Sequence, residues 1–227
     1  MSIVKWIIMI CIFLFILFLI ISYVSTNQKL GSMYKMNNLD IDYKKELVYS
    51  PPSLPYQVYQ FEHIFNKQEC QSMIQSANMK TQSDEMTFIK NDAIRSISHL
   101  LTGQPTSHME PTELYRWFKG GTIPHYDVIP KNKRLASHTR IATLVFYLND
   151  EYVGGELEFT TTNTIIKPSL GKVVLYWNVV SDSLATESFH RERFILRGAQ
   201  WRAIQYVHSQ PFTALSETAF SQKVIRK

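Results

Sequence analysis

From Leu114 to Val207 the sequence breaks into short runs rich in β-branched and aromatic residues: Leu114–Phe118, Ile141–Leu148, Leu157–Thr160, Asn163–Ile166, Val173–Tyr176 and Trp201–Val207. Each run is closed by Gly, Pro, Asn or Asp, the residues that end strands in turns. Segments this short cannot enclose a core singly, so they must pair into sheets that pack on one another as a sandwich or jelly roll. Gln57–Phe61 adds one more strand-like alternation. Helical periodicity is confined to the region upstream. Asn66 is a candidate N-cap with Glu69 three residues on, and Cys70, Met73, Ile74 and Ala77 then fall on one face. A second helix is predicted over Ala93–Leu101, before Gly103 and Pro105. The expected fold is mainly β with outer helices (α+β), a jelly-roll barrel.

Residues 6–24 carry no charge. A helix of that length spans roughly 29 Å, close to a bilayer core, and exceeds the apolar core of an ordinary cleaved signal. The sequence therefore predicts an uncleaved transmembrane signal anchor over 1–24, a stalk over 25–53, a folded domain over 54–212 and a tail over 213–227. Lys5 on one side and Lys29 and Lys35 on the other leave the orientation open. A net charge of +5 without a dense basic stripe argues against a nucleic-acid partner. The two cysteines, Cys11 and Cys70, cannot build a disulfide framework or a thiolate zinc cluster. Any metal must therefore be held by histidine and carboxylate.

Such a set is present. His125 and Asp127 stand two residues apart and share a face if the segment is extended. His190 is a possible third ligand. The His-x-Asp triplet alone is common in surface turns. Two histidines and one carboxylate together form the facial triad of non-haem Fe(II) oxygenases, which leaves open positions for other ligands. Closed tetrahedral zinc would need a fourth protein ligand.

The run from Arg140 through Ala142, Thr143, Leu144, Tyr147, Leu148 and Asn149 to Asp150 is followed by Gly154, Gly155, Glu156 and Phe159. With His125-x-Asp127 before it, and Pro168-x-x-Gly171, His190, Gly198 and Trp201 after it, this pattern resembles the Fe(II)- and 2-oxoglutarate-dependent prolyl 4-hydroxylases. Phe65, Glu69, Cys70, Ile74 and Ala77 resemble that family's opening helix, so the resemblance covers roughly 54–208. It implies a double-stranded β-helix of cupin type, with Fe(II) held by His125, Asp127 and His190. It also implies 2-oxoglutarate and O2 as cosubstrates, ascorbate as reductant, and succinate and carbon dioxide as products. The implied enzyme is procollagen-proline 4-dioxygenase-like and acts on a peptide or protein, with proline the expected residue. Anchored members of the family imply an endoplasmic reticulum membrane with a luminal catalytic domain, although the sequence permits the cytosolic side.

Three departures from the family pattern bear on the cosubstrate. The usual Lys ten residues after the distal His is here Gln200, which is neutral, so Arg202, two residues along the same strand, is the candidate cation. Arg202 equally suits a place at the mouth, paired with an acid. Trp117 stands where a Tyr is usual, which brings Tyr115 into consideration; Thr143 completes the implied cosubstrate contacts. Arg191 and Glu192 replace a common Gly-Gly pair. His63, His99, His108, His138 and His208 read as surface or packing residues, Cys70 as core, and Tyr176 and Trp177 as flanking the pocket. The rival readings are a non-catalytic barrel acting as a membrane-bound binding or structural protein, and an oxygenase on a non-prolyl substrate.

Overall fold

The computed structural model describes residues 45–49, 57–77, 79, 84–128 and 139–212. Strand β1 (Lys45–Tyr49) pairs antiparallel with β2 (Val58–Phe61), so residues 45–49 of the segment expected as stalk belong to a sheet. Helix α1 (Lys67–Ser76) begins at the predicted cap: Asn66 Oδ1 accepts from the Glu69 amide at 3.0 Å, and Glu69 Oε2 accepts from the Asn66 amide at 2.7 Å. This reciprocal box satisfies two amides that the helix cannot, worth about 1 kcal/mol. Cys70 and Met73 form the helix's buried face. Strand β3 (Glu85–Ile89) follows, then α2 (Asp92–Thr102), which ends at Gly103 with φ 71° and the Gly103 amide donating to His99 O.

The remaining strands are β4 (Thr112–Trp117), β5 (Arg140–Tyr147), β6 (Val153–Gly154), β7 (Leu157–Phe159), β8 (Thr164–Ile166), β9 (Val173–Trp177), β10 (Val179–Val180), β11 (Ser183–Leu184), β12 (His190–Glu192), β13 (Ile195–Arg197) and β14 (Gln200–His208). Seven strands form one sheet in the order β1-β2-β9-β5-β14-β4-β3, and β12-β7-β8 form a second. Two ribbons, β10-β11 and β13-β6, complete the set. Side chains two apart share a face of a strand. Thus Val145 and Tyr147 of β5 and Val174 and Tyr176 of β9 meet Leu157 and Phe159 of β7 and Ile166 of β8 in one core between the sheets. Each such side chain, fully buried, contributes about 1.5–3 kcal/mol. The outer face of the large sheet is covered too: the rings of Phe65, just before α1, and Phe146 are 5.9 Å apart. Gly171 permits that approach. It has φ 72°, and a Cβ there would stand 1.9 Å from the Phe65 carbonyl oxygen.

Register places the polar inward residues in rows. Thr143 is opposite Tyr176 on one side and Tyr206 on the other. Arg202 lies between Tyr115 and Tyr147, and Gln200 is opposite Trp117.

The jelly-roll expectation holds, but the expected membrane helix has no counterpart among the described residues. Among the described residues no helix is long and apolar enough to cross a membrane. Helices α1 and α2 have 10 and 11 residues, about half the length a bilayer core requires. Residues 6–24 lie outside the described residues. The fold is corrected to a mainly β barrel with outer helices in which no described helix is fit to span a membrane, and the single-pass endoplasmic reticulum placement has no support among the described residues.

Candidate active site

His125 and His190 are joined before their side chains are considered. Each amide donates to the other's carbonyl, at 2.8 and 3.1 Å, in a β-bridge that ties the loop after β4 to strand β12. The two imidazole centroids are 4.5 Å apart. His125 Nδ1 donates to Ile123 O at 2.9 Å, and His190 Nδ1 donates to Ser188 O at 2.8 Å. A carbonyl can only accept, so both rings keep their proton on Nδ1 and present Nε2 as a lone pair.

Asp127 faces those lone pairs. Its Oδ1 lies 3.6 Å from His125 Nε2 and 4.0 Å from His190 Nε2. Its other oxygen is spoken for: the hydroxyls of Thr143 and Tyr176 both donate to Oδ2 at 2.7 Å. Asn178 Nδ2 donates in turn to Thr143 Oγ1 at 2.9 Å. Behind the loop, Arg140 donates to the Asp127 carbonyl at 3.3 Å while its guanidinium grips Glu110, which also receives His208 Nε2 at 2.6 Å. Burial alone would push the Asp127 carboxyl up, but the electrostatic interaction with the His190 ring, the Tyr176 hydrogen bond, the charge of Arg140 and the Thr143 hydrogen bond outweigh it. The carboxyl is held below its ordinary range, anionic and aimed.

Two imidazole lone pairs and one fixed anionic oxygen, converging from a loop and a strand, are the donor set of a divalent first-row metal. His125 is partly open to solvent, whereas Asp127 and His190 are buried. A cavity of about 340 Å³ opens beside them and is lined by Thr122, Gly154, Glu156, Glu192, Phe194 and Leu196, among others.

The residues expected to meet the cosubstrate occupy a second cluster, deeper along β14. Arg202 is 2% exposed; its Nη2 pairs with Glu192 Oε1 at 2.9 Å, and its guanidinium lies over the Trp117 ring, 3.9 Å from the centroid, and over the Tyr115 ring at 5.3 Å. The acid it meets is therefore inside the barrel and not at the mouth. Tyr115 OH donates to Glu113 Oε2 at 2.6 Å, and Gln200 Nε2 donates to Tyr152 OH and Gly155 O at 2.9 and 3.0 Å. Thr143 serves Asp127 instead of this cluster. Among the described residues, Arg202 Nε and Nη1, Tyr147 OH and Gln200 Oε1 are buried without a hydrogen-bond partner. Three unpaired donors around one guanidinium fit the distant carboxylate of a 2-oxo dicarboxylic acid.

Sequence reasoning left Tyr176 as a flanking residue, marked Glu192 only as a departure from the family pattern, and passed over Asn178 and Glu110. Glu192 was the most accessible of these. It lies two residues from His190 on β12, hence on the same face. A ring nitrogen of each histidine and a carboxylate oxygen of Glu192 lie within 4.8 Å of one another. Both Glu192 oxygens are engaged, one by Arg202 and the other by the Thr122 hydroxyl.

Residues 113–208 match the family model of the 2OG-Fe(II) oxygenase superfamily, a stretch that contains the triad and the Arg202 cluster. Prolyl 4-hydroxylase subunit alpha-1 of Homo sapiens is 28% identical over 117 residues, 48% of this chain and 22% of that protein. The chain thus spans about a fifth of the length of those subunits. A putative prolyl 4-hydroxylase of Acanthamoeba polyphaga mimivirus is 23% identical over 220 residues, covering 85% of this chain and 90% of that one. The crystal structure of the viral collagen prolyl hydroxylase of Paramecium Bursaria Chlorella virus-1, as its 2OG complex, has the same fold: TM-score 0.59 and 23% identity over 67% of this chain and 96% of that one. By sequence match and by barrel, the chain is similar to the prolyl 4-hydroxylase-like Fe(II)- and 2-oxoglutarate-dependent dioxygenases.

Proposed function

We propose that this protein hydroxylates a peptidyl side chain, with proline as the target, in an Fe(II)- and 2-oxoglutarate-dependent reaction. The observation that carries the reading is the convergence of His125 Nε2 and His190 Nε2 on Asp127 Oδ1, with each remaining polar atom of the three side chains already occupied. In this reading His125, Asp127 and His190 hold Fe(II), and Thr143 and Tyr176 keep Asp127 anionic and oriented. Arg202, with Tyr147, holds the far carboxylate of 2-oxoglutarate. With these groups bound, Fe(II), 2-oxoglutarate and O2 supply the oxidation: one oxygen atom leaves in succinate as carbon dioxide is released, and the other enters a substrate C–H bond.

The peptide's place is supported by the surface beside the triad. Phe194 and Leu196, which line the cavity, are 65% and 76% exposed, and Ile123, two residues before His125, is 83% exposed; covered by a peptide, these apolar side chains would exclude water. The prolyl specificity rests on the relatives, which are named as prolyl hydroxylases.

The test is incubation of the full chain with Fe(II), ascorbate, 2-oxoglutarate and proline-rich peptides, following succinate and the mass gain of one oxygen on peptide, beside His125→Ala. Peptide-linked succinate and oxygen on a prolyl residue are expected from the unaltered protein alone. Succinate release no greater than from His125→Ala would overturn the reading, and oxygen on another residue would overturn its prolyl part.

A further inference from the structure

The three departures from the family pattern, at Trp117, Glu192 and Gln200, lie far apart in sequence yet surround one side chain. Trp117 stacks on the Arg202 guanidinium at 3.9 Å, Glu192 pairs with it at 2.9 Å, and Gln200 lies two residues along β14 on the same face. The usual fixed cation is absent, and the cation that replaces it has an internal partner. Resting on the cosubstrate reading above, we infer that Glu192 is an intramolecular competitor for 2-oxoglutarate, which must displace the Glu192 carboxylate from Arg202 in order to bind.

The geometry carries this in two steps. A 2-oxo dicarboxylic acid has to reach from the histidine lone pairs to the Arg202 cation. Glu192 already spans those points: one of its oxygens pairs with Arg202, and its carboxylate groups with ring nitrogens of both His125 and His190 within 4.8 Å. It is 4% exposed, so it stands inside the path and not on the rim.

The hold is also incomplete. Glu192 uses Nη2 alone and leaves Arg202 Nε and Nη1 unpaired among the described residues, with Tyr147 OH beside them in register. An incoming carboxylate can therefore engage free donors before the internal pair breaks. Thr122, whose hydroxyl donates to the other Glu192 oxygen, holds that carboxylate toward Arg202. Exchange of one carboxylate for another on a single guanidinium costs little net charge burial, which makes the competition reversible.

The test is anaerobic titration of the Fe(II)-loaded full chain with 2-oxoglutarate, read by the visible charge-transfer band of the keto-acid chelate and by calorimetry, for the unaltered protein, Glu192→Gln and Thr122→Val. A 2-oxo monocarboxylate of similar length is titrated in parallel. Glu192→Gln keeps the shape and a neutral acceptor but removes the competing charge. It is expected to tighten 2-oxoglutarate about 10- to 100-fold, the worth of one charged hydrogen bond, and to leave the monocarboxylate unchanged. Thr122→Val is expected to move the same way by less. Unchanged or weaker 2-oxoglutarate binding in Glu192→Gln overturns the inference, as does equal tightening of both acids. If no protein shows a band or heat although Fe(II) is bound, the cosubstrate reading itself falls, and the competition with it.

Discussion

The two ends of the site are built on opposite principles. At the metal end, both Nδ1 atoms, the outer oxygen of Asp127 and its carbonyl all have partners, so the three inward atoms are fixed before anything binds. At the Arg202 end, four buried polar atoms have none among the described residues, and the one strong contact is between two ionised side chains of the protein itself. Satisfied networks are rigid, while half-satisfied ones store a cost that a ligand can relieve. The first end suits a small ion that needs fixed geometry. The second suits an anion that comes and goes with each turnover.

The largest test of that contrast removes the charge at the unsatisfied end. Arg202→Met keeps the length and apolar stem but leaves the Glu192 carboxylate buried and unpaired. A loss of about 3–5 kcal/mol is expected, read as a lowered urea midpoint. The double change Arg202→Met with Glu192→Gln should recover most of it, because the two residues form one interacting unit. Equal costs for the single and double changes would mean that the pair does not act as one and would erase the contrast.

Next in size is a cut at the satisfied end. Tyr176→Phe removes one hydroxyl donor from Asp127 Oδ2, and Thr143→Val removes the other. Each is expected to weaken Fe(II) binding about 10- to 100-fold in a competition titration, while leaving binding of 2-oxoglutarate to protein saturated with metal within about threefold. A change in 2-oxoglutarate affinity as large as the change in Fe(II) affinity would show that the two ends are not separable.

Much of the barrel, and the three residues that meet at the candidate site, could be read in the sequence because they depend on local signals. The cap at Asn66, the stop at Gly103 and the strand runs over 141–148 and 201–207 declare themselves within a few residues, and the structure places their elements within one to three residues of the predicted bounds. Strand β3 was missed because it is a five-residue edge strand without a fully buried side chain. The aim of Asp127 was missed for a different reason. Tyr176 meets Thr143 only through the pairing of β9 with β5, and register between strands is set by the assembled sheet. The role of Glu192 needed both kinds of information: alternation on β12 puts it beside His190, but only the return of β14 brings Arg202 to meet it.

The smallest effect belongs to an ion pair of the same chemistry one residue away on the opposite face. Glu158 Oε2 receives Arg191 Nε and Arg193 Nε, each at 2.8 Å, and these arginines flank Glu192 on the solvent side. The Arg193 and Arg191 hydrogen bonds pull the Glu158 carboxyl from its ordinary 4.5 to about 2. Its folded value is the lower one, so between about 4.5 and 2 the unfolded chain binds more protons, and stability falls as pH falls through that window. Both arginines are about two-fifths exposed, so water and salt screen the interaction. Glu158→Gln should therefore lower Tm by no more than about 3 °C at pH 7 and flatten the acid side of the stability curve, with both effects fading in 1 M salt. Arg202→Met should keep its cost in the same salt, because a buried pair is screened far less. The same two residue types thus serve as a weak surface clasp on one face of β12 and a ligand-sensitive pair on the other, and salt tells them apart.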